Sequence, residues 1–308
     1  GNAGTLAVTL DGDENMSPNM IWIKPRATSS YGTKVWDTVR GVTNYLETNA
    51  TGAEGTGLSG VDSFDSDGFT LGSYAGQNPS SGTVIAWCWK ESADAGFDIV
   101  SYTGNGSART ISHSLSAKPR LIIQKNRSAS STQWRVQHGS LGAEKHMALD
   151  ATQAVGDASS VWNDTEPTTS VFSVGDDAAV NGNTNNCITY LWAEKQGFSK
   201  FGSFTGNNSS DGAFNYLGFR PAFVMLKQSS GTHQWVIYDN KRPGYNQTSN
   251  AVFANTPAQA EATDLEIDML SNGFRIKATN NQNTGTYIFM AFAEAPFVNS
   301  KGVPCNAR

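Results

Sequence analysis

Three runs decide the fold: Pro18-Asn19-Met20-Ile21-Trp22-Ile23-Lys24, Pro119-Arg120-Leu121-Ile122-Ile123-Gln124-Lys125 and Pro221-Ala222-Phe223-Val224-Met225-Leu226-Lys227. Each is a proline, a short and mostly apolar stretch, and a lysine six positions on. The prolines stand 101 and then 102 residues apart. Spacing that constant marks an internal repeat with a period of about a hundred residues. Runs this short, bounded by proline and rich in Ile, Val, Trp and Phe, read as buried strands rather than helices.

Other landmarks follow in the same order. A second strand-like run comes after each lysine: Val35-Trp36-Asp37, Trp134-Arg135-Val136-Gln137-His138 and Trp235-Val236-Ile237-Tyr238-Asp239. The first and third copies share Asp-x-x-Arg (Asp37/Arg40 and Asp239/Arg242), and the second carries His138 in place of the aspartate. A turn and strand, Ser66-Asp67-Gly68-Phe69, is matched by Ser271-Asn272-Gly273-Phe274. Each copy closes on a strand with a large apolar column ending in a carboxylate. The columns are Ile85/Trp87/Trp89/Glu91, Ile188/Tyr190/Trp192/Glu194 and Ile288/Met290/Phe292/Glu294. Side chains alternate across a strand, so each column lies on one face. The opposite faces are apolar too, which places these strands inside a sheet covered on both sides. The first two copies run straight on through Gly-Phe into Tyr102-Thr103-Gly104-Asn105 and Phe204-Thr205-Gly206-Asn207, a strand entering a tight turn.

The expected fold is all-β. Three tandem β-sandwich-like modules span residues 1–94, 95–195 and 196–308, with no flexible linker between them. Helix is expected only at 143–154 and 257–263, the second opening on Pro257.

Composition fits this reading. Among 308 residues, 31 are glycine, only 16 % are charged and 10 % are aromatic, the profile of a turn-rich β protein. A net charge of −5 argues against nucleic acid as a partner, because phosphate contacts need clustered Lys and Arg. No apolar run is long enough for a membrane-spanning helix. The opening Gly1-Asn2-Ala3-Gly4 lacks the basic and apolar regions of a signal peptide. Cys88, Cys187 and Cys305 make neither a disulfide framework nor a zinc spacing.

The ordered landmarks resemble a family of virion-associated proteins from marine tailed phages. The stretch Ala291-Phe292-Ala293-Glu294-Ala295-Pro296-Phe297 and the end Gly302-Val303-Pro304-Cys305 are especially similar to theirs. The resemblance runs from about residue 17 to the end. It implies a tail-fibre-like or other virion surface protein with lectin-like β modules. It supplies no catalytic residues.

The candidate chemistry is sparse. Asp62, Asp65 and Asp67 before Gly68 faintly imitate a calcium loop, but the position of the required bidentate glutamate is occupied by Gly76. The third copy does the same turn with Asn272-Gly273, so the turn reading is preferred. Asp11-Gly12-Asp13-Glu14-Asn15 reads as a solvated acidic loop. The four histidines pair with no nucleophile motif. Glu91, Glu194 and Glu294 could be imagined as glycosidase carboxylates, but a position repeated once per module reports the fold, and no enzyme activity is expected. Lys24, Lys125 and Lys227 are expected to pair with Glu91, Glu194 and Glu294 respectively. A sugar-binding surface needs exposed aromatics. Tyr31, Trp162 and Tyr245 are the candidates, Trp162 and Tyr245 as anchors in the unrepeated loops 155–168 and 243–263, with 48–63 as a third loop, although a core role is the preferred reading for Trp162 because Trp is usually mostly buried. Tyr45 and Tyr74 are further candidates.

The expected function is therefore a non-enzymatic virion structural protein on the particle surface, a tail-fibre or spike component contacting the host. A capsid decoration or minor capsid protein is the alternative, and a stand-alone lectin a further one. Expected partners are other virion proteins and a host surface glycan, with a homo-oligomer such as a trimer. No cofactor and no metal are expected.

Overall fold

The apolar alternation seen in the sequence is realised as strands throughout. The computed structural model describes residues 4–12, 15–26, 30–242, 250–257, 266–277 and 283–295. Strand makes up 44 % and helix 3 %, so the protein is all-β.

In the first unit, β1 (Leu6–Val8) begins a small sheet with β6 (Val61–Asp65) and β7 (Gly68–Leu71), in the order β1-β7-β6. A larger sheet contains β2 (Met20–Pro25), β3 (Lys34–Asp37), β4 (Asn44–Glu47), β5 (Gly55–Thr56) and β8 (Val84–Trp89), in the order β5-β4-β3-β2-β8. The second unit repeats this with β9 (Phe97–Thr103), β10 (Arg109–Ser112), β11 (Pro119–Asn126), β12 (Arg135–His138), β13 (Lys145–Ala148), β14 (Gly156–Asp157), β15 (Val171–Val174) and β16 (Asn186–Ala193). Its large sheet is β14-β13-β12-β11-β16-β9 and its small sheet β10-β15. Two one-turn helices, α1 (Ser159–Trp162) and α2 (Ala178–Asn181), lie in its loops. The third unit has β17 (Ser199–Thr205), β18 (Phe214–Tyr216), β19 (Pro221–Gln228), β20 (Val236–Asp239), β21 (Val252–Phe253), β22 (Ile267–Leu270), β23 (Gly273–Ile276) and β24 (Thr286–Ala293). They form β17-β24-β19-β20-β21 and β18-β23-β22.

The registers match. Met20, Leu121 and Phe223 face Trp89, Trp192 and Phe292 respectively. A bulge follows both Pro119 and Pro221, where a residue without an N–H cannot continue the ladder. All the strand pairs are antiparallel, so the lysine that ends each Pro-to-Lys run lies opposite the isoleucine that begins the carboxylate column. Lys24, Lys125 and Lys227 are partnered with Ile85, Ile188 and Ile288.

Each large sheet is apolar on both faces and fills two cores. One face packs on the unit's own small sheet: Ile21, Ile23, Trp36 and Phe69 in the first unit, Ile122, Val161, Trp162 and Phe172 in the second, Val224, Leu226, Phe274 and Ile276 in the third. The other faces of all three sheets meet in a single central core. There Trp89 lies 6.0 Å from both Trp192 and Phe292, ring centre to ring centre, one residue from each unit.

One helix expectation is corrected. Residues 143–154 contain β13, because Met147 and Leu149, two apart, both enter the central core and the strand pairs with β12. The four-residue spacing of Ala143 and Met147 imitated a helical stripe. Residues 257–263 lie, apart from Pro257, outside the described residues.

Candidate functional site

The repeated charged residues come first. Lys24, Lys125 and Lys227 are fully buried, and none faces its expected glutamate. Antiparallel pairing puts each lysine six residues from that carboxylate along the neighbouring strand, about 20 Å at 3.3 Å per residue. Each ammonium instead crosses to a neighbouring unit. Lys24 Nζ donates to the Thr256 carbonyl at 2.5 Å, Lys125 to Thr51 at 2.9 Å and Lys227 to Thr152 at 3.1 Å. Unit one thus bonds to three, two to one and three to two, a closed ring. Lys125 adds the carbonyl of Thr132, and Lys227 those of Gln228 and Gly231. Burial without a paired carboxylate pushes all three amines down to about 8.

Two of the glutamates share a role and the third does not. Glu91 accepts from the Ile99 amide at 3.5 Å, and its carboxyl is pushed up to about 7, first by burial and then by its hydrogen bond with Asp98. Glu194 accepts from the Phe201 amide at 3.3 Å. Glu294 pairs with Arg220 at 3.0 Å on the surface. Ile99 and Phe201 stand at equivalent positions of β9 and β17, opposite Tyr190 and Met290, so Glu91 and Glu194 each tie the end of their column to the strand that follows it.

The Asp-x-x-Arg motif builds a turn and a seam. Asp37 accepts from the Arg40 amide and from Arg40 Nε, and Tyr190 of the second unit donates its hydroxyl to the same carboxylate at 2.6 Å. Arg40 reaches Glu54, which also holds Arg127 of the second unit at 2.7 Å. Asp239 and Arg242 repeat the turn at 2.9 Å. His138 keeps it by accepting from the Ser140 amide through Nδ1, which leaves Nε2 to donate to Phe289 O of the third unit at 3.1 Å. Burial pushes His138 down to about 4.

The seams also carry indole bonds that the sequence did not announce. Trp134 Nε1 donates to Glu47 O, and Trp235 Nε1 to Ala148 O, both at 2.8 Å. By register Thr33 occupies the same place in the first unit, where Thr48 Oγ1 donates to Ala254 O at 2.9 Å. Three buried asparagines were missed as well. Asn78 Nδ2 donates to Gly4 O and Gly72 O, Asn181 Nδ2 to Asn105 Oδ1, Ser107 O and Gly175 O, and Asn283 Nδ2 to Asn207 Oδ1 and Ser209 O. They clamp the same turn in each unit. Their spacing of 103 and 102 residues was the available signal.

The expected sugar contacts fare unevenly. Trp162 is 0 % exposed and sits in the second unit's own core, so it cannot anchor a ligand. Helix α1 tucks it under the sheet, leaving Asn163 to Glu166 outside. Tyr31 is half-buried and packs edge-on against Tyr74, at 5.6 Å. Tyr45 stacks near Trp36, at 6.0 Å. Tyr245 lies outside the described residues, as do Asp13, Glu14 and Cys305. Asp65 is engaged by Ser63 and Thr70 and Asp62 by Ser59, bonds local to the turns, and Asp67 accepts from the distant Met16 amide.

Two surface features remain. On β18, Phe214 and Tyr216 project from one face and are 47 % and 58 % exposed. Lys200 Nζ lies 5.2 Å from the Tyr216 ring, and the Asp211–Arg275 pair, at 2.6 Å, flanks Phe214 across the strand. The equivalent outward positions are Ala7 and Thr9 in the first unit and Thr110 and Ser112 in the second, so the aromatic pair belongs to the third unit alone. The second feature is an apolar cleft of about 370 Å³ between β8 and the third unit, lined by Trp87, Trp89, Phe198, Phe223 and Phe292 among others.

No curated protein and no solved structure matches this chain. A family model described as a domain of unknown function, DUF7483, matches residues 2–296, and the chain belongs to that family.

Proposed function

We propose that this chain is a non-enzymatic surface protein of a tailed-phage virion, a tail-fibre or spike component that binds a host-surface glycan through the outer face of β18. The location follows from the resemblance of the ordered landmarks and the carboxyl-terminal stretch to virion-associated proteins. The binding role rests on Phe214 and Tyr216. A frame that repeats so closely at its core and seams departs from repetition here by placing two exposed rings two residues apart on one strand face. Such rings stack on the C–H face of a sugar, while the neighbouring charges of Lys200, Asp211 and Arg275 suit its hydroxyls. Burying either ring in the free protein would gain apolar energy, so leaving both in water is what a contact surface requires.

The test is a double variant, Phe214→Ala with Tyr216→Ala, assayed for binding to host cells and to their purified surface polysaccharide. Binding is expected to fall at least about tenfold, the loss of roughly 1.4 kcal/mol, with the melting temperature within a degree or two of the parent. Undiminished binding, or hydrolysis of the polysaccharide by the parent protein, would overturn the reading.

A further inference from the structure

The first unit carries a polar and aromatic cluster that its sisters lack. It stands on β3, β4 and the loop after β7, on the side of the sheet away from β8. The Lys34 side chain is 3 % exposed. Its Nζ lies 2.5 Å from Glu47 Oε1, 5.4 Å from the centre of the Tyr45 ring and 5.8 Å from that of Tyr74. Tyr31 meets Tyr74 with 73° between the ring planes, so the two rings form a corner. Two glycines make room for it. A Cβ at Gly76 would lie 2.4 Å from Tyr74 Cε1 and 2.9 Å from Tyr31 Cδ1, and one at Gly32 would lie 2.6 Å from Asn49 Oδ1.

By register the places of Lys34, Tyr45 and Glu47 hold Arg135, His146 and Ala148 in the second unit, and Val236, Ala251 and Phe253 in the third. The loop turns alike in the first two units, the Asn78 amide donating to Tyr74 O as the Asn181 amide donates to Asp177 O. Tyr74 therefore stands for Asp177, and Gly76 for Ala179. At the seams a replaced residue keeps its contact, as His138 does, but here the chemistry changes from unit to unit. The groups gathered in the first unit are also left with bonds to make. Among the described residues no protein group takes up the hydroxyls of Tyr31, Tyr45 and Tyr74, the second oxygen of Glu47 or the amide nitrogen of Asn49. All five residues are half-buried. Burial first, then the nearness of Tyr31, Glu47 and Tyr45, raises the Tyr74 phenol above its ordinary value, which places these groups around one spot.

We propose that this corner is a second sugar site, separate from β18, and that it takes a neutral saccharide. A tyrosine ring offers its face to the C–H groups of the sugar. The phenols and Asn49 Nδ2 donate to its hydroxyls, and Glu47 Oε2 accepts from them. Neutrality follows from the charges already present. An anionic sugar gains little from a cation that is paired with Glu47, and it meets the remaining carboxylate oxygen. A cationic sugar is repelled by the ammonium that fills the space between the rings. The site shares no residue with β18, so it would survive the failure of the reading given to that strand.

The probes are neutral hexasaccharides of glucose, mannose and galactose, with hexagalacturonate as the acidic comparison. Each is titrated against the whole chain labelled with 3-fluorotyrosine and followed by fluorine NMR, the signals being assigned with Tyr31→Phe and Tyr74→Phe. At least one neutral hexasaccharide should shift the Tyr31 and Tyr74 signals saturably. The shift should persist in the Phe214→Ala, Tyr216→Ala double variant. Tyr74→Phe keeps the ring and removes only the hydroxyl, so it should bind about three- to tenfold more weakly. Tyr31→Ala opens the corner and should abolish binding. The proposal is overturned if no neutral hexasaccharide moves either signal, or if hexagalacturonate alone does. It is overturned equally if both single variants bind as tightly as the parent, or if the β18 double variant loses the shift. A β18 double variant that binds host polysaccharide undiminished would sink only the other site.

Discussion

His138 shows how one residue can serve a repeat that elsewhere uses aspartate. Its Nδ1 takes the Ser140 amide two residues on, as Asp239 takes that of Lys241, where both aspartates also accept the arginine amide three residues on. Its Nε2–H bridges to the third unit. Protonating Nδ1 would cost the turn bond and bury a cation beside Arg120, so the folded protein holds this imidazole neutral down to about pH 4. In the unfolded chain the same group binds a proton near 6.5. Between those values the unfolded state carries more protons, so the contribution of His138 is whole above about pH 6.5 and is lost as pH falls toward 4. His138→Gln keeps an N–H donor but does not titrate. The drop in urea midpoint between pH 7 and pH 4.5 should be smaller in that variant than in the parent. Identical drops would remove the imidazole from the account.

At the scale of elements, the Thr-Gly-Asn turn that follows each outer strand is held by a single buried amide. Asn181 binds three acceptors at once, and Gly104 in that turn has no room for a side chain, since a Cβ would lie 2.2 Å from the Gly182 carbonyl. Asn181→Ala should cost about 2–4 kcal/mol, because it leaves buried groups without partners. A denaturation midpoint unmoved by that change would contradict the clamp. Strands of this kind were legible in the sequence. The columns at Ile85, Ile188 and Ile288, the apolar runs after the prolines and the Gly-Phe turns all sit where period-two alternation put them. Direction was not legible: the columns give no sign of whether neighbouring strands run together or opposed, and the lysine–glutamate pairing failed on that point. Trp162 was ambiguous for another reason. Its neighbours Ser159, Ser160, Asn163 and Asp164 are polar, but one turn of helix points the indole inward. The pair on β18 was passed over because Phe214-Asn215-Tyr216 follows the same alternation as a buried strand.

The whole molecule is less divisible than its repeat suggests. Alternation predicts that the face bearing Trp87, Tyr190 or Met290 is covered, but not that all three units cover it for one another. They do, and the seams add the lysine ring and the indole bonds. Trp192→Ala, at the meeting point of the three, should therefore cost about 3–5 kcal/mol. It should lower one calorimetric transition common to the entire chain. Three separable transitions, of which only one moved, would mean that the units are independent.

The lysine ring also has a consequence in time. Lys24 finds its carbonyl at Thr256, 232 residues further along the chain. At about 5–20 residues per second, a ribosome takes some 10–50 s to make that stretch. Throughout that interval the first sheet has an apolar face and an ammonium with no destination. The nascent protein must stay unaggregated while its first unit is complete in sequence yet incomplete in structure, so the closed arrangement becomes available only once the third unit has been made.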